Sequence, residues 1–130
     1  HSLLDNAVEE MIRWSSPILH MRRTAVVETE LAGTRIEPGD KVVMWYPSAN
    51  RDEAVFERPN EFDITRTDNE QVAFGAGGPH FCLGAFLARM ELRVLLEEML
   101  ARDLQPRDAS NLVRIPSNFV NGASSVDIIF

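Results

Sequence analysis

The stretch Phe74-Gly75-Ala76-Gly77-Gly78-Pro79-His80-Phe81-Cys82-Leu83-Gly84 constrains this chain more than any other: it holds the only cysteine and runs directly into a long apolar helical pattern. Glycines at 75, 77, 78 and 84 let the backbone turn tightly and approach a ligand closely. Cys82 stands where loop becomes helix, so the unpaired N–H groups and positive dipole end of that helix favour an anionic sulfur. The stretch reads as a cradle for one metal-bound thiolate. Alone, a single cysteine is most often a small buried hydrophobe, and glycine-rich turns before helices are common. The combination of Phe74, the four glycines, His80 and Cys82 is far more specific.

Size and charge narrow the rest. A chain of 130 residues can build one modest core. Its net charge of -7 argues against nucleic acid or an anionic membrane surface as the main partner. One cysteine excludes an internal disulfide and suits a reducing compartment, so a cytoplasmic location is expected. No apolar run approaches the ~20 residues needed to cross a bilayer.

Along the chain, Asp5 is expected to cap a first helix, with Ala7, Val8, Met11 and Ile12 at helical spacing until Ser15-Ser16-Pro17 stops it. Thr24 to Leu31 and Val42 to Trp45 read as hairpin strands around turns at Ala32-Gly33 and Pro38-Gly39-Asp40. A loop-rich stretch with Asn50-Arg51-Asp52 and Pro59-Asn60-Glu61-Phe62 leads to the cysteine loop. From Gly84, the residues Leu87, Met90, Val94, Leu95 and Met99 predict a long helix packed along that face. Arg102-Asp103 and Pro106 end it, and the tail reads as a hairpin turning at Asn121-Gly122. The expected fold class is mainly α with small antiparallel β hairpins, α+β overall, with no repeat or second-domain boundary.

The cysteine loop resembles the haem-binding loop of the cytochrome P-450 family, whose pattern is Phe-Gly-x-Gly-x-(His/Arg)-x-Cys-x-Gly. One departure stands out: the family places Phe seven residues before Cys, whereas Phe74 lies eight before Cys82. The extra residue falls in Gly77-Gly78-Pro79. A loop of this length resembles bacterial members that oxidise sterols and branched or long-chain lipids. The order of elements is also similar to the family's C-terminal third: a Glu-x-x-Arg helix, small sheet, meander, haem loop, long proximal helix and C-terminal hairpin. Members are a single domain of roughly three times this length, larger than the usual range. With His1 in place of an initiator methionine, residues 1–130 are expected to be the C-terminal part of such a domain.

The resemblance implies roles residue by residue. Cys82 is the expected ligand to the iron of haem b, iron protoporphyrin IX, with Phe74, Gly75 and Gly84 shaping the loop around it. Arg23 and His80 are expected to pair with haem carboxylates, a guanidinium being able to bind a carboxylate through two hydrogen bonds. Arg22 is an acceptable alternative to Arg23. Glu10-Met11-Ile12-Arg13 matches the family's Glu-x-x-Arg pair, and Arg66, after Pro59-Asn60-Glu61-Phe62, completes a structural triad. Without the second motif, Glu10 and Arg13 would read as an exposed helix pair worth ~0 to 1 kcal/mol. Ile18, Leu19, His20, Phe119 and Val120 match positions that line the substrate pocket. For the four apolar ones, ordinary core packing is a nearly equal reading. Arg89 and Arg93 share a helix face that meets an electron donor in the family, with a solvated face an equal reading.

The activity this resemblance implies is that of a haem-thiolate monooxygenase acting on a hydrophobic small molecule, a sterol or lipid by preference, with O2 and electrons from NAD(P)H through a ferredoxin-type donor. The family's oxygen-activating acid and alcohol would lie upstream of His1, so the 130 residues alone are expected to be inactive. Two other classes stay open: a haem-thiolate protein that binds, or uses peroxide, without oxygenating, and a truncated remnant without haem.

Overall fold

In the computed structural model, residues 3–130 are described. The first helix, α1, spans Leu3–Ser15. It begins before Asp5, so Asp5 lies in its first turn, where a carboxylate suits the helix dipole, and is not the cap expected of it. Ser16 ends the helix with a left-handed backbone (φ 40°), its N–H bonding to Ile12 O (3.0 Å).

Four short strands follow: β1 His20–Thr24, β2 Thr29–Leu31, β3 Thr34–Ile36 and β4 Lys41–Trp45. β1 pairs antiparallel with β4, placing His20 opposite Trp45 and Arg23 opposite Val42, and β2 pairs with β3. Thr24 to Leu31 is therefore not one strand. The β-branched Val26 and Val27 suggest a strand, but they sit in an exposed bend that lets the chain leave one ladder and enter another. The β2–β3 turn is where expected, with Ala32 and Gly33 both at positive φ (48° and 78°), as a two-residue hairpin turn demands.

A one-turn helix, α2 (Tyr46–Ala49), and the irregular segment 50–84 lead to the long helix α3, Ala85–Ala101. The packed face of α3 is not the expected one. Ala85 is buried and Leu92 and Leu96 lie against the Val8, Ile12 and Ala73 core, whereas Leu87, Met90, Val94 and Leu95 are exposed. Because α3 is apolar on several faces, apolar spacing alone does not select one.

The tail forms β5 (Asp108–Arg114) and β6 (Ala123–Ile129), paired antiparallel. The hairpin is as read, but Asn121-Gly122 is not its tip; the connection runs from residue 115 to 122. Asn121 instead fastens that loop to the end of α1, its N–H bonding to Pro17 O (2.8 Å) and its Nδ2 to Ser15 O (2.6 Å). Helices and small antiparallel sheets are both present, and strand is nearly as abundant as helix, so α+β describes these residues better than mainly α.

The irregular segment has few backbone ladders, and a charged network does their work. Arg13 is completely buried and uses all five of its N–H donors. Its Nε and Nη2 grip Glu10 Oε2 and Oε1 (both 2.7 Å), Nη1 bonds to the carbonyls of Asn50 (2.7 Å) and Pro59 (2.9 Å), and Nη2 also to Glu61 O (3.0 Å). Arg66 Nε reaches Glu10 Oε2 at 3.3 Å while Nη1 holds Glu57 O (2.6 Å). Glu10 also accepts from Asp63 N–H and Asn69 Nδ2. Asn50, buried and not foreseen, receives Val72 N–H on Oδ1 (2.8 Å) and donates to Ser16 Oγ (2.9 Å).

Burial alone would push the Glu10 carboxyl up. The hydrogen bonds from Arg13 and Asp63 and the charges of Arg13 and Arg66 outweigh it, and its pKa falls below the ordinary value. A depressed carboxylate contributes stability that is complete above its unfolded pKa, about 4.3, and is lost as pH falls through the folded value. Glu10→Gln should therefore flatten the acid limb of a stability–pH curve, measured by denaturant midpoints. Arg13→Ala should cost roughly 3–5 kcal/mol, because Glu10 is left charged and buried. A loss below about 1 kcal/mol, the scale of an exposed pair, would count against the network as the clamp.

Candidate functional site

Residues 74–84 form a closed loop: Cys82 N–H bonds back to Phe74 O (2.9 Å), and Phe81 N–H to Gly78 O (3.1 Å). Gly75, Gly77 and Gly78 all have left-handed φ (89°, 87° and 78°), a conformation that side chains with a Cβ strain to adopt. The consecutive pair Gly77-Gly78 accommodates the extra residue without disturbing the closing bond. Gly84 has an ordinary φ, so its role is spatial: a Cβ there would sit 4.0 Å from Cys82 Sγ. Glycine leaves that flank of the sulfur bare.

Cys82 is exposed, in apolar company. Leu83 is 100% exposed and Phe86 78%, a neighbourhood that ordinary folding would cover. Among the described residues no cluster of three or more His, Cys, Asp or Glu side chains could hold a metal.

A cavity of about 380 Å³ opens beside the loop, lined by Gly75, Ala76, Gly77 and His80 on one side and by Arg23, Trp45 and Tyr46 on the other. The structure thus brings Arg23 and His80, far apart in sequence, to one space. Arg23 makes no ion pair with a described carboxylate and spends one donor on Arg22 O (3.1 Å). Arg22, next to it on β1, is not part of this lining. A guanidinium without an acid and an imidazole beside it form a set suited to an anionic group.

The five pocket candidates also meet. Ile18 bridges Val120, and Leu19 N–H bonds to Phe119 O (2.8 Å). The His20 ring contacts Trp45 (centroids 4.8 Å) and Phe119 (6.0 Å) edge-on. Glu10, Arg13 and Arg66 join in the buried network described above, which fixes the segment leading to residue 72.

Arg89 and Arg93 are engaged within the chain. Arg89 holds Glu9 through Nε (2.5 Å) and Nη2 (2.9 Å) and lies 4.8 Å from the centre of the Phe74 ring. Arg93 pairs with Asp5 and with Glu97. Both arginines join α1 to α3, Arg89 half-buried against Phe74 and Arg93 on an exposed face where it also pairs with Glu97 along the helix. Burial would raise the Glu9 carboxyl, but bonds from Arg89 and Gln71 and the Arg89 charge lower it on balance. Glu9, Gln71 and Asn50 carry no local signal of their roles, since each has a side-chain partner 22 to 80 positions away.

The family model for cytochrome P-450 matches residues 2–128. The chain is 47% identical over 127 residues to linalool 8-monooxygenase of Pseudomonas putida, covering 98% of this chain and 31% of that protein. It is 44% identical over 126 residues to the methyl-branched lipid omega-hydroxylase of Mycobacterium bovis, covering 97% and 29%. Among solved structures, a Mycobacterium marinum cytochrome P-450 in complex with pseudoionone superposes with a TM-score of 0.92 at 44% identity, covering 98% of this chain and 31% of that one. The chain spans about a third of the length of these relatives. The lone cysteine in its glycine loop, the arginine and histidine facing one cavity and the match along nearly the whole sequence lead to one conclusion: this chain belongs to the cytochrome P-450 family.

Proposed function

We propose that these residues are the haem-ligating C-terminal part of a longer monooxygenase, with Cys82 as the thiolate ligand. The observation that carries this reading is the convergence of Arg23 and His80 on the cavity beside the Cys82 loop. Haem b is the family's cofactor, and the residues present fit it: one exposed cysteine, an apolar surround for the macrocycle, and a cation with a hydrogen-bond donor for its carboxylates. When bound, haem supplies the oxygen chemistry, with the thiolate donating electron density that favours O–O cleavage.

The chain's own residues bind and orient. Phe74 O fixes the Cys82 backbone, Gly75 supplies the left-handed turn that opens the loop, Gly84 leaves one flank of the sulfur bare, and Arg23 and His80 anchor the carboxylate edge. The Glu10, Arg13 and Arg66 network holds the meander on which that geometry rests. Ile18, Leu19, His20, Phe119 and Val120 form a turn pair that would present apolar surface to substrate.

The substrate is a hydrophobic small molecule, a lipid, sterol or terpene. The names of the relatives, linalool and methyl-branched lipid among them, support branched apolar chains. Electrons come from NAD(P)H through a ferredoxin-type donor. No helix among the described residues is long and apolar enough to cross a membrane, and we place the enzyme in the cytoplasm. Since the acid and alcohol that handle oxygen and protons in the family are not found here, residues 1–130 alone should give no monooxygenase turnover.

The test is the reduced, carbon monoxide-bound spectrum of the full-length protein. The wild type should give the long-wavelength Soret band of a thiolate complex, and Cys82→Ser should lose it. A thiolate band surviving in Cys82→Ser would sink the ligand assignment. Glu10→Ala and Arg13→Ala should abolish haem incorporation, read as haem absorbance per protein; normal occupancy in either would refute the proposed role of the network.

A further inference from the structure

We infer that Glu9 positions the cysteine loop, as the anchor of a clamp that ends on Phe74. The inference rests on the reading of Cys82 as the haem ligand and extends it to a residue on another element.

Glu9 and Glu10 are adjacent on α1, so their side chains leave the helix about 100° apart and serve different partners. Glu10 turns to the meander. Glu9 turns to α3, where Arg89 grips both its oxygens at 2.5 and 2.9 Å. The same guanidinium lies over the Phe74 ring at 4.8 Å, a separation at which cation and ring attract. A second arm runs from Glu9 Oε2, which accepts from Gln71 Nε2 (3.0 Å), through Gln71 Oε1, which accepts the N–H of Ala73 (2.8 Å). Both arms arrive at residues 73 and 74.

That point matters because the loop beyond it is soft. Three glycines in its first half lose much conformational freedom on ordering, so the loop is fixed only as well as its ends are. The far end is tied into α3, with Ala85 N–H bonding to Cys82 O (3.2 Å) and Ala85 fully buried. The near end is Phe74, whose carbonyl accepts the N–H of Cys82. Holding Phe74 therefore sets the direction in which the Cys82 side chain leaves the backbone. Glu9 does not touch the sulfur; it is a positioning residue.

The fold supplies its own control. Asp5 and Arg93 also join α1 to α3, but the other partner of Arg93 is Glu97, away from the loop. A clamp that merely joins helices predicts the same behaviour for both pairs.

The experiment uses the full-length, haem-loaded protein at matched haem occupancy. It reads the fraction of the reduced carbon monoxide complex that carries the thiolate band, together with the reduction potential. Glu9→Gln should lower the thiolate fraction and shift the potential, and Asp5→Asn should leave both at wild-type values. Arg89→Lys keeps the charge but loses the two-pronged grip, and should reproduce the Glu9→Gln change. Combining Glu9→Gln with Phe74→Leu should be non-additive, since both act on one contact. Wild-type values for Glu9→Gln, or equal changes in Glu9→Gln and Asp5→Asn, would overturn the inference while leaving the ligand reading intact. A thiolate band retained by Cys82→Ser would overturn the ligand reading itself, and this inference with it.

Discussion

The buried guanidinium of Arg13 is the interaction on which the rest of this structure depends. Taking a charge out of water costs several kcal/mol per ion, and it is tolerable here because every N–H of the fork has an acceptor. Two of its bonds go to Glu10 and three to the carbonyls of Asn50, Pro59 and Glu61. Those carbonyls belong to a segment with little ladder of its own, so the side chain takes the place of a neighbouring strand. A lysine would bring the charge but neither the planar fork nor five donors.

Neighbouring groups extend the same logic. Arg66 adds the carbonyls of Glu57 and Arg58, and Asn50 links Val72 to Ser16, so the polar network runs from the end of α1 to the threshold of the cysteine loop. Phe56 packs under both guanidiniums, 5.3 Å from that of Arg13 and 5.9 Å from that of Arg66. The apolar wall beneath keeps water from competing for the charged bonds, which strengthens them. Loop position is thus inherited from helix α1 through these hydrogen bonds together with the apolar packing of Val8 and Ile12 against Ala73 and Phe74.

What the sequence discloses depends on how local each determinant is. Glu10 and Arg13 are one helical turn apart, and the two-residue turn at Ala32-Gly33 and the glycines of the cysteine loop carry their geometry in their own residue types. Long-range choices are less legible. Val26 and Val27 favour strand intrinsically, yet the pairing of Ala25 with the turn at Gly39 and Asp40 ends the ladder before them. The packed face of α3 is hidden in the sequence because apolar residues nearly surround the helix, and the distant cluster of Val8, Ile12 and Ala73 decides which of them is covered. Asn50 looks like any loop asparagine until three separate segments are seen to close around it.

The distribution of burial ties this network to the cofactor. The buried side chains include Glu10, Arg13, Ser16 and Asn50, while Leu83, Phe86, Leu87 and Leu95 remain exposed, the reverse of the usual arrangement in a soluble domain. At roughly 25 cal/mol per Å² of apolar surface, such side chains represent stabilisation the described residues do not collect among themselves. On the proposed reading, part of it is collected when haem seats against the cysteine loop, so cofactor binding itself adds to the stability of this segment. The polar network does not depend on that burial: among the described residues its bonds are complete while the apolar surface is exposed, and they fix the approach to a glycine-rich segment that nonspecific burial alone would leave free to choose among many shapes.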